Sequence, residues 1–341
     1  MKAVVLESTN GPGSLVIKNV PDPEPAAGEV RVRLYASALN RRDYWMTLGL
    51  YPDMRLPCVP GSDGAGVIDA TGENVDSSLV GNPVIIYPAR NWGNSQLAYG
   101  PEFRVLGMPD QGTFAEFICV PSDCVLPKPD HLSWQQAAAI PVAGLTSWRA
   151  VITQAEVKPE QHVLITGAGG GVAGFAIQWC LGRGAHVYIS SGNDQKIAQA
   201  VNAGVTAGVN YHQQNCYKEL AKQVGGFDVI IDSAGGETLN QLLASLRPAG
   251  RYVFYGATLR NPPLGLEMAR LFFKQIRLQG TTMGSPEEFQ AMLSYVTEHR
   301  IVPVIDRVLP LDEAVIAHKL LENYSQHGKI VLTNYHNSPE R

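Results

Sequence analysis

Along this 341-residue chain the spacing of apolar positions changes character, and each change predicts a different architecture. Up to about residue 125 the apolar residues come in short alternating or continuous runs, at 2–6, 30–35, 66–69, 84–87 and 114–120, broken by Pro and Gly. Such runs predict strands joined by turns, PDPEPAAGE at 21–29 among them. From Ser133 the spacing becomes helical: WQQAAAIPVAGLTSWRAVITQA has a Ser cap, small apolar residues and a break at Pro141. Farther on, strand-like runs at 162–165, 185–190, 208–211, 227–232 and 251–256 alternate with helical stretches at 193–203, 215–224 and 237–246. That alternation predicts a parallel sheet with helices on both faces. After Asn261-Pro-Pro263 a helix at 266–274, the segment IRLQG, a helix opened by the capping box Ser285-x-x-Glu288, a strand at 302–309, a helix at 312–324 and a strand at 329–333 complete the pattern. The predicted class is α/β, with a β-rich first domain ending near residue 125.

The densest glycine cluster falls where a strand meets a helix, in HVLITGAGGGVAG at 162–174. A strand, a glycine turn and a helix start in that order form a cradle for a pyrophosphate, because the backbone approaches the anion closely and free N–H groups face it. Two spacings fit the fingerprint: Gly169-x-Gly171-x-x-Gly174, and the variant Gly167-x-x-Gly170-x-x-Ala173. The helix stops at Gly182 and Gly184 and a second apolar run, Ala185 to Ile189, follows, which completes a β-α-β unit.

Composition narrows the class. With 45% hydrophobic and 17% charged residues and a net charge of −4, the chain reads as an ordinary globular protein without the basic stripe of a nucleic-acid binder. Its length points to two domains. The first apolar run is too short for a secretory leader and no stretch approaches a membrane span, so a cytoplasmic protein with no membrane partner is expected. Five scattered cysteines, Cys58, Cys119, Cys124, Cys180 and Cys216, suggest neither disulfides nor a zinc ribbon.

Several further stretches, Met1 to Val5, Asn40-Arg-Arg-Asp43, Pro60-Gly-Ser-Asp-Gly-Ala-Gly66, Ala143-Gly-Leu-Thr146, Asp232-Ser-Ala-Gly-Gly236 and Gly328-Lys-Ile-Val331, together with the glycine turn, resemble the medium-chain dehydrogenase/reductase superfamily. The resemblance spans nearly the whole chain. It implies a GroES-like β-barrel catalytic domain, 1–125 with 265–341 returning to it, and a Rossmann doubly wound domain at 126–264, with the active site in the cleft between them. The short-chain dehydrogenases compete, but they need a Tyr-x-x-x-Lys pair, and none of the thirteen tyrosines has a lysine four residues on.

Zinc members of the superfamily carry a Cys at the position of Asn40 and Gly-His-Glu at that of Gly61-Ser62-Asp63. All eight histidines lie at 131 or later, so the barrel segment offers no imidazole, and four close cysteines are absent from 88–112. Asp63 and Cys58 alone fall short of a tetrahedral site, so no metal is expected. The chain resembles the zinc-free quinone oxidoreductase-like branch. Without a Lewis acid the acceptor must already be activated, which points to a quinone or an α,β-unsaturated carbonyl taking hydride from a reduced nicotinamide.

The resemblance places Asn40 to Tyr51 beside the nicotinamide, with Tyr44, Trp45, Tyr51 and Trp92 as candidate walls for a planar acceptor. Tyr51 is the candidate for a hydrogen bond to the developing oxyanion, and Asn40 and Asp43 complete the catalytic set, with bracing of the loop as their alternative role. The cofactor set is Thr146, Gly167, Gly169, Gly170, Gly171, Val172, Ser191, Lys196, Tyr211, Gly256 and Lys329. The second Rossmann strand ends in Ser190-Ser191-Gly192 without the acid that NAD-specific domains use, and Asn193 reads as an N-cap that turns Asp194 away. NADPH is therefore the expected cofactor, and the resemblance to the quinone oxidoreductase-like branch implies Ser191, Lys196 and Tyr211, and Lys329 more weakly, at the 2′-phosphate. His131, His162 and His186 are given structural roles. The polar loop at 93–112 shapes the acceptor pocket or mediates oligomer contacts, and the sequence does not choose. A homodimer, with a tetramer as the alternative, is expected from the superfamily's habit of pairing its last Rossmann strand. Two other readings stand beside the reductase: a cofactor-binding protein with little turnover, and a zinc alcohol dehydrogenase relative.

Overall fold

The computed structural model describes residues 1–260 and 265–334, so the Asn261-Pro-Pro263 break lies outside the described residues. The chain forms two compact units, one of Met1–Ala143 with Ser285–Arg341 and one of Gly144–Gly284.

The first unit is built on a seven-stranded sheet. Its path runs Ile305–Pro310, Lys329–Thr333, Glu29–Ala38, Asp63–Thr71, Pro83–Ile86 and Val125–Pro127, with Phe117–Pro121 pairing beside Glu29–Ala38. Every pairing is antiparallel except that of Ile305–Pro310 with Lys329–Thr333. Inward positions of the long central strand alternate with half-exposed ones, as a sheet with one face on the core requires. A hairpin of Lys2–Leu6 and Leu15–Asn19 adds Ala3, Val4, Val5, Leu6 and Leu15 to a core shared with Met46, Phe114, Leu311, Ala317 and Ile330. That shared core shows why the end of the chain belongs here: its helix Ala314–Glu322 and its last strand bury their apolar faces against the first hundred residues.

The second unit is a six-stranded parallel sheet in the order Ala207–Asn210, His186–Ser191, His162–Ile165, Phe227–Asp232, Leu246–Phe254, Arg277–Gly280. Its central strands, Val163 to Ile165 and Val229 to Ile231, are fully buried, which is why they read as continuous apolar runs.

Two boundaries differ from the sequence expectation. The units divide at 143/144 and 284/285, where 125/126 and 264/265 were expected. Upstream, the Ser133-capped helix Trp134–Ala138 stays with the first unit, where the Trp134 ring stacks on Tyr35 at 4.8 Å. Downstream, Arg277–Gly280 pairs with Leu246–Phe254 and so extends the parallel sheet instead of leaving it. Among the described residues no helix is long and apolar enough to cross a membrane.

Candidate functional site

In the second unit the glycine turn leaves the strand His162–Ile165 and enters the helix Gly171–Gly182, with Gly170 as the extended N-cap. Gly167 and Gly169 adopt φ of +70° and +129°, conformations that side chains resist. Of the two candidate spacings, the geometry satisfies the variant. Ala173 is 1% exposed and packs inward, whereas a Cβ at Gly174 would meet nothing within 4 Å. The turn is held from behind by Asp232, whose carboxylate accepts bonds from the Thr166 and Tyr252 hydroxyls and, at 2.7 Å, from Gly235 N. Thr166 Oγ1 in turn accepts Ser233 N at 3.2 Å. Gly256 follows the next strand, and a Cβ there would lie 3.0 Å from Ser233 O. Thr146 lies buried in the helix Pro141–Trp148.

The end of the second Rossmann strand forms a polar corner beside this turn. Lys196 extends across it, since a Cβ on Gly169 would lie 2.9 Å from Lys196 Cδ and 3.2 Å from its Nζ. Gly192 lies under Tyr211: a Cβ there would meet the Tyr211 hydroxyl oxygen at 2.6 Å and His212 Nε2 at 2.9 Å. Ser191 is buried and its Oγ accepts Asn193 N at 3.3 Å. Asn193 caps its helix by accepting Gln195 N and Lys196 N. Asp194, the one acid nearby in sequence, accepts Asn210 Nδ2 at 2.8 Å. His212 was missed in the sequence, where nothing but its place beside Tyr211 marks it.

In the first unit, Asn40 caps the helix Arg41–Thr47, its backbone N–H donating to Asp43 Oδ2 at 2.7 Å. Asp43 is fully buried, its Oδ1 has no hydrogen-bond partner, and burial pushes the carboxyl up to about 6. Asn40 Nδ2 donates to Asp63 Oδ2 at 2.9 Å. Arg42 is buried as well; it donates to Ser62 Oγ, to Leu106 O at 2.6 Å and, through Nε, to the Tyr51 hydroxyl at 3.3 Å, while its guanidinium lies 4.7 Å from the Tyr51 ring centre. A phenol oxygen that accepts from arginine keeps its own hydrogen for another acceptor.

Lys329 departs from the sequence expectation. It is 4% exposed in the first unit, and its ammonium donates to Asn40 Oδ1 at 2.6 Å and Asp63 Oδ2 at 2.8 Å. A lysine committed to these oxygens is no longer carried among the 2′-phosphate residues. The signal was present in the sequence: Asp63 without a histidine or cysteine partner needs a cation from elsewhere.

The expectation that the barrel offers no imidazole is also corrected, because the returning segment brings His299, His318 and His327 into the first unit, where His131 also lies. His318 Nδ1 donates to Ala314 O at 2.7 Å, and His131 Nε2 to Ile301 O at 3.1 Å. Among the described residues no three His, Cys, Asp or Glu side chains gather as a metal site. Burial pushes the Cys58 thiol up to about 11, away from the thiolate zinc binds. The residues at the zinc positions, with their oxygens on an ammonium, do not fit a zinc ion.

Of the aromatic candidates, Trp92 is a packing residue, its Nε1 donating to Ser95 O at 2.9 Å and its ring meeting Phe103 at 5.4 Å. Phe103 stacks on Tyr99 at 4.5 Å, so an aromatic cluster gives the 93–112 loop its shape. The Tyr44 hydroxyl donates to Glu322 at 3.1 Å, and Trp45 is half-buried.

A nucleotide turn on a parallel sheet in one unit and a buried polar cluster in a mainly antiparallel unit define a two-domain oxidoreductase. Residues 26–130 match the family described as alcohol dehydrogenase GroES-like domain, and 171–298 the one described as zinc-binding dehydrogenase. The zinc-type alcohol dehydrogenase-like protein YogA of Leptosphaeria maculans is 33% identical, over 93% of this chain and 94% of its own. The quinone oxidoreductase of Mus musculus is 26% identical, over 97% of each. A crystal structure of an NAD-dependent alcohol dehydrogenase superposes with a TM-score of 0.93 at 35% identity, over 98% of this chain and all of that one. The chain belongs to the medium-chain dehydrogenase/reductase superfamily. The solved relative is named as NAD-dependent, and the mouse relative as an oxidoreductase.

Proposed function

We propose that this chain reduces a quinone or an α,β-unsaturated carbonyl compound with NADPH and without a metal. The observation that carries the reading is the oxygen set at Asn40 and Asp63: both accept from the Lys329 ammonium, which supports chemistry without a Lewis acid to polarise a simple alcohol or ketone. An acceptor activated by its own conjugation removes that need. NADPH supplies the hydride when bound. The name of the mouse relative, a quinone oxidoreductase, supports the acceptor class.

The turn residues fit the cofactor, because Gly167, Gly169, Gly170 and Gly171 carry no side chain and Val172 lies in the first turn of the helix, where a pyrophosphate needs backbone N–H donors. Ser191, Lys196 and Tyr211 hold the 2′-phosphate, and Thr146 and Gly256 serve the nicotinamide half. Tyr51 donates its phenolic hydrogen to the oxygen of the acceptor, and Arg42, which binds the Tyr51 oxygen, orients it. Asn40 and Asp43 position the helix that precedes Tyr51.

The test is NADPH oxidation by the purified protein against quinones and enones, run with and without a chelator. Turnover that survives chelation supports the reading. Activity that appears only on adding zinc overturns it, and stoichiometric NADPH binding without turnover on any acceptor favours a cofactor-binding protein.

A further inference from the structure

We infer that the Lys329 ammonium is a built-in organising cation, doing on the oxygens of Asn40 and Asp63 what a bound divalent ion would do. Three side chains far apart in sequence meet at one positive charge. Lys329 Nζ reaches Asn40 Oδ1 at 2.6 Å and Asp63 Oδ2 at 2.8 Å, and Asn40 Nδ2 closes the triangle on Asp63 Oδ2 at 2.9 Å. All three are nearly inaccessible, at 4%, 9% and 0% exposure, so water cannot screen the charges.

Each partner is the start of an element. Asn40 caps the helix Arg41–Thr47, Asp63 opens the strand Asp63–Thr71, and Asp63 Oδ1 accepts the N–H of Val142 at 2.8 Å, in the first turn of the helix Pro141–Trp148. One ammonium therefore fixes the orientation of two side chains: that of Asp63, which holds a helix N-terminus through Val142 N, and that of Asn40, whose backbone stands at the N-cap of another helix. The chain takes care to seat it: Gly328 has φ +99° and a Cβ there would fall 2.3 Å from Val304 O, the carbonyl that receives Lys329 N at 2.9 Å. Only glycine allows the approach that brings Lys329 inward. A tethered cation differs from a metal in being insensitive to chelators and to metal supply. Lys329 is thus a positioning residue, acting through Asn40 and Asp63.

This inference rests on the metal-free reading above, and its test separates the two. Lys329→Ala removes the ammonium and leaves room, while Lys329→Met removes the charge and keeps most of the volume. Both variants are expected to lose turnover and melt at lower temperature than the native chain. Ethylammonium, or Mn²⁺ as a metal probe, is expected to raise the melting temperature of Lys329→Ala and to restore turnover about tenfold, the scale of a charge-assisted hydrogen bond, without acting on Lys329→Met or the native protein. A Lys329→Met variant with native melting and turnover overturns the inference, as does a Lys329→Ala variant indifferent to every cation. Should neither variant fold, the native protein is soaked in Co²⁺ or Zn²⁺ and desalted: retention of one equivalent shows that Lys329 does not occupy the site, and its absence supports the inference. Loss of the inference leaves chelator-resistant enone reduction untouched, whereas zinc-dependent turnover of the native chain removes the reading beneath it.

Discussion

Lys196 lies across Gly169, its Cδ 2.9 Å and its Nζ 3.2 Å from where a methyl group on that glycine would sit. A cation laid over a glycine turn, next to a strand that ends at Ser191 with no acid, supports the proposed 2′-phosphate site. The acid that an NAD-binding strand would offer is missing, and Asp194 is engaged with Asn210. Lys196→Ala is expected to weaken NADPH binding by about 1.5–3 kcal/mol, the scale of a charge-assisted hydrogen bond, and to leave NADH binding nearly unchanged. Fluorescence titration with both nucleotides checks this; equal native affinities, or equal losses in the variant, would show that the corner reads something else.

Much of this corner was legible in the sequence because it is local. A strand, an N-cap and the first turn of a helix are consecutive, so the strand end without an acid and the Asn193 cap show in the spacing, while the placing of Ser191 and Lys196 at a phosphate came from the family resemblance. Lys329 was misplaced for the opposite reason. Its partners are Asn40 and Asp63, brought to it by a chain that returns from the second unit, and no periodicity encodes a contact between positions so far apart. The same return carried His318 into a unit that appeared to lack imidazoles. The boundary near 285 was hidden similarly, because Arg277–Gly280 declares its sheet only through the strand it pairs with.

Gly174 satisfies a fingerprint without being required by packing. It sits inside the helix Gly171–Gly182 and a Cβ there meets nothing within 4 Å. Gly174→Ala is expected to stabilise the protein by roughly 0.5–1 kcal/mol through lower backbone entropy in the unfolded chain, and to leave nucleotide affinity unchanged. Urea unfolding monitored by fluorescence checks the first part and a titration the second. A loss of nucleotide binding would mean that the Gly169-x-Gly171-x-x-Gly174 spacing is the functional one after all.

Among the described residues the strand Arg277–Gly280 pairs on one side only, and the helix before it exposes Met268, Phe272 at 64% and Phe273 at 76%. Adjacent exposed phenylalanines beside an unpaired strand edge are a surface that a second copy would cover. We propose a homodimer through this face, with a tetramer as the alternative. The double substitution Phe272→Ser/Phe273→Ser is expected to shift the native protein from dimer toward monomer in analytical ultracentrifugation. A native monomer, or a dimer unaffected by the change, would remove the proposal.

His318 gives the first unit an acid-sensitive point. Its Nδ1 must carry the hydrogen, because it faces the Ala314 carbonyl at 2.7 Å, which leaves Nε2 bare, buried and without a hydrogen-bond partner. Protonating Nε2 would create a buried cation with no acceptor, and burial accordingly pushes the imidazole down to about 4. In the unfolded chain the same group titrates near 6.5. Between these values the unfolded chain binds more protons than the native one, so stability is fully present above about pH 6.5 and falls as the pH drops toward 4. Asp43 acts in the opposite direction, since its carboxyl is raised to about 6 and the native state holds the extra proton. Its contribution is common to the native protein and to a His318→Leu variant, and cancels in their difference. Going from pH 7.5 to pH 4.5, the native protein is expected to lose about 2–3 kcal/mol more stability than His318→Leu, the free energy of a shift of that size. Urea unfolding at the two pH values measures it, and parallel losses in both proteins would mean that His318 is not the group that titrates.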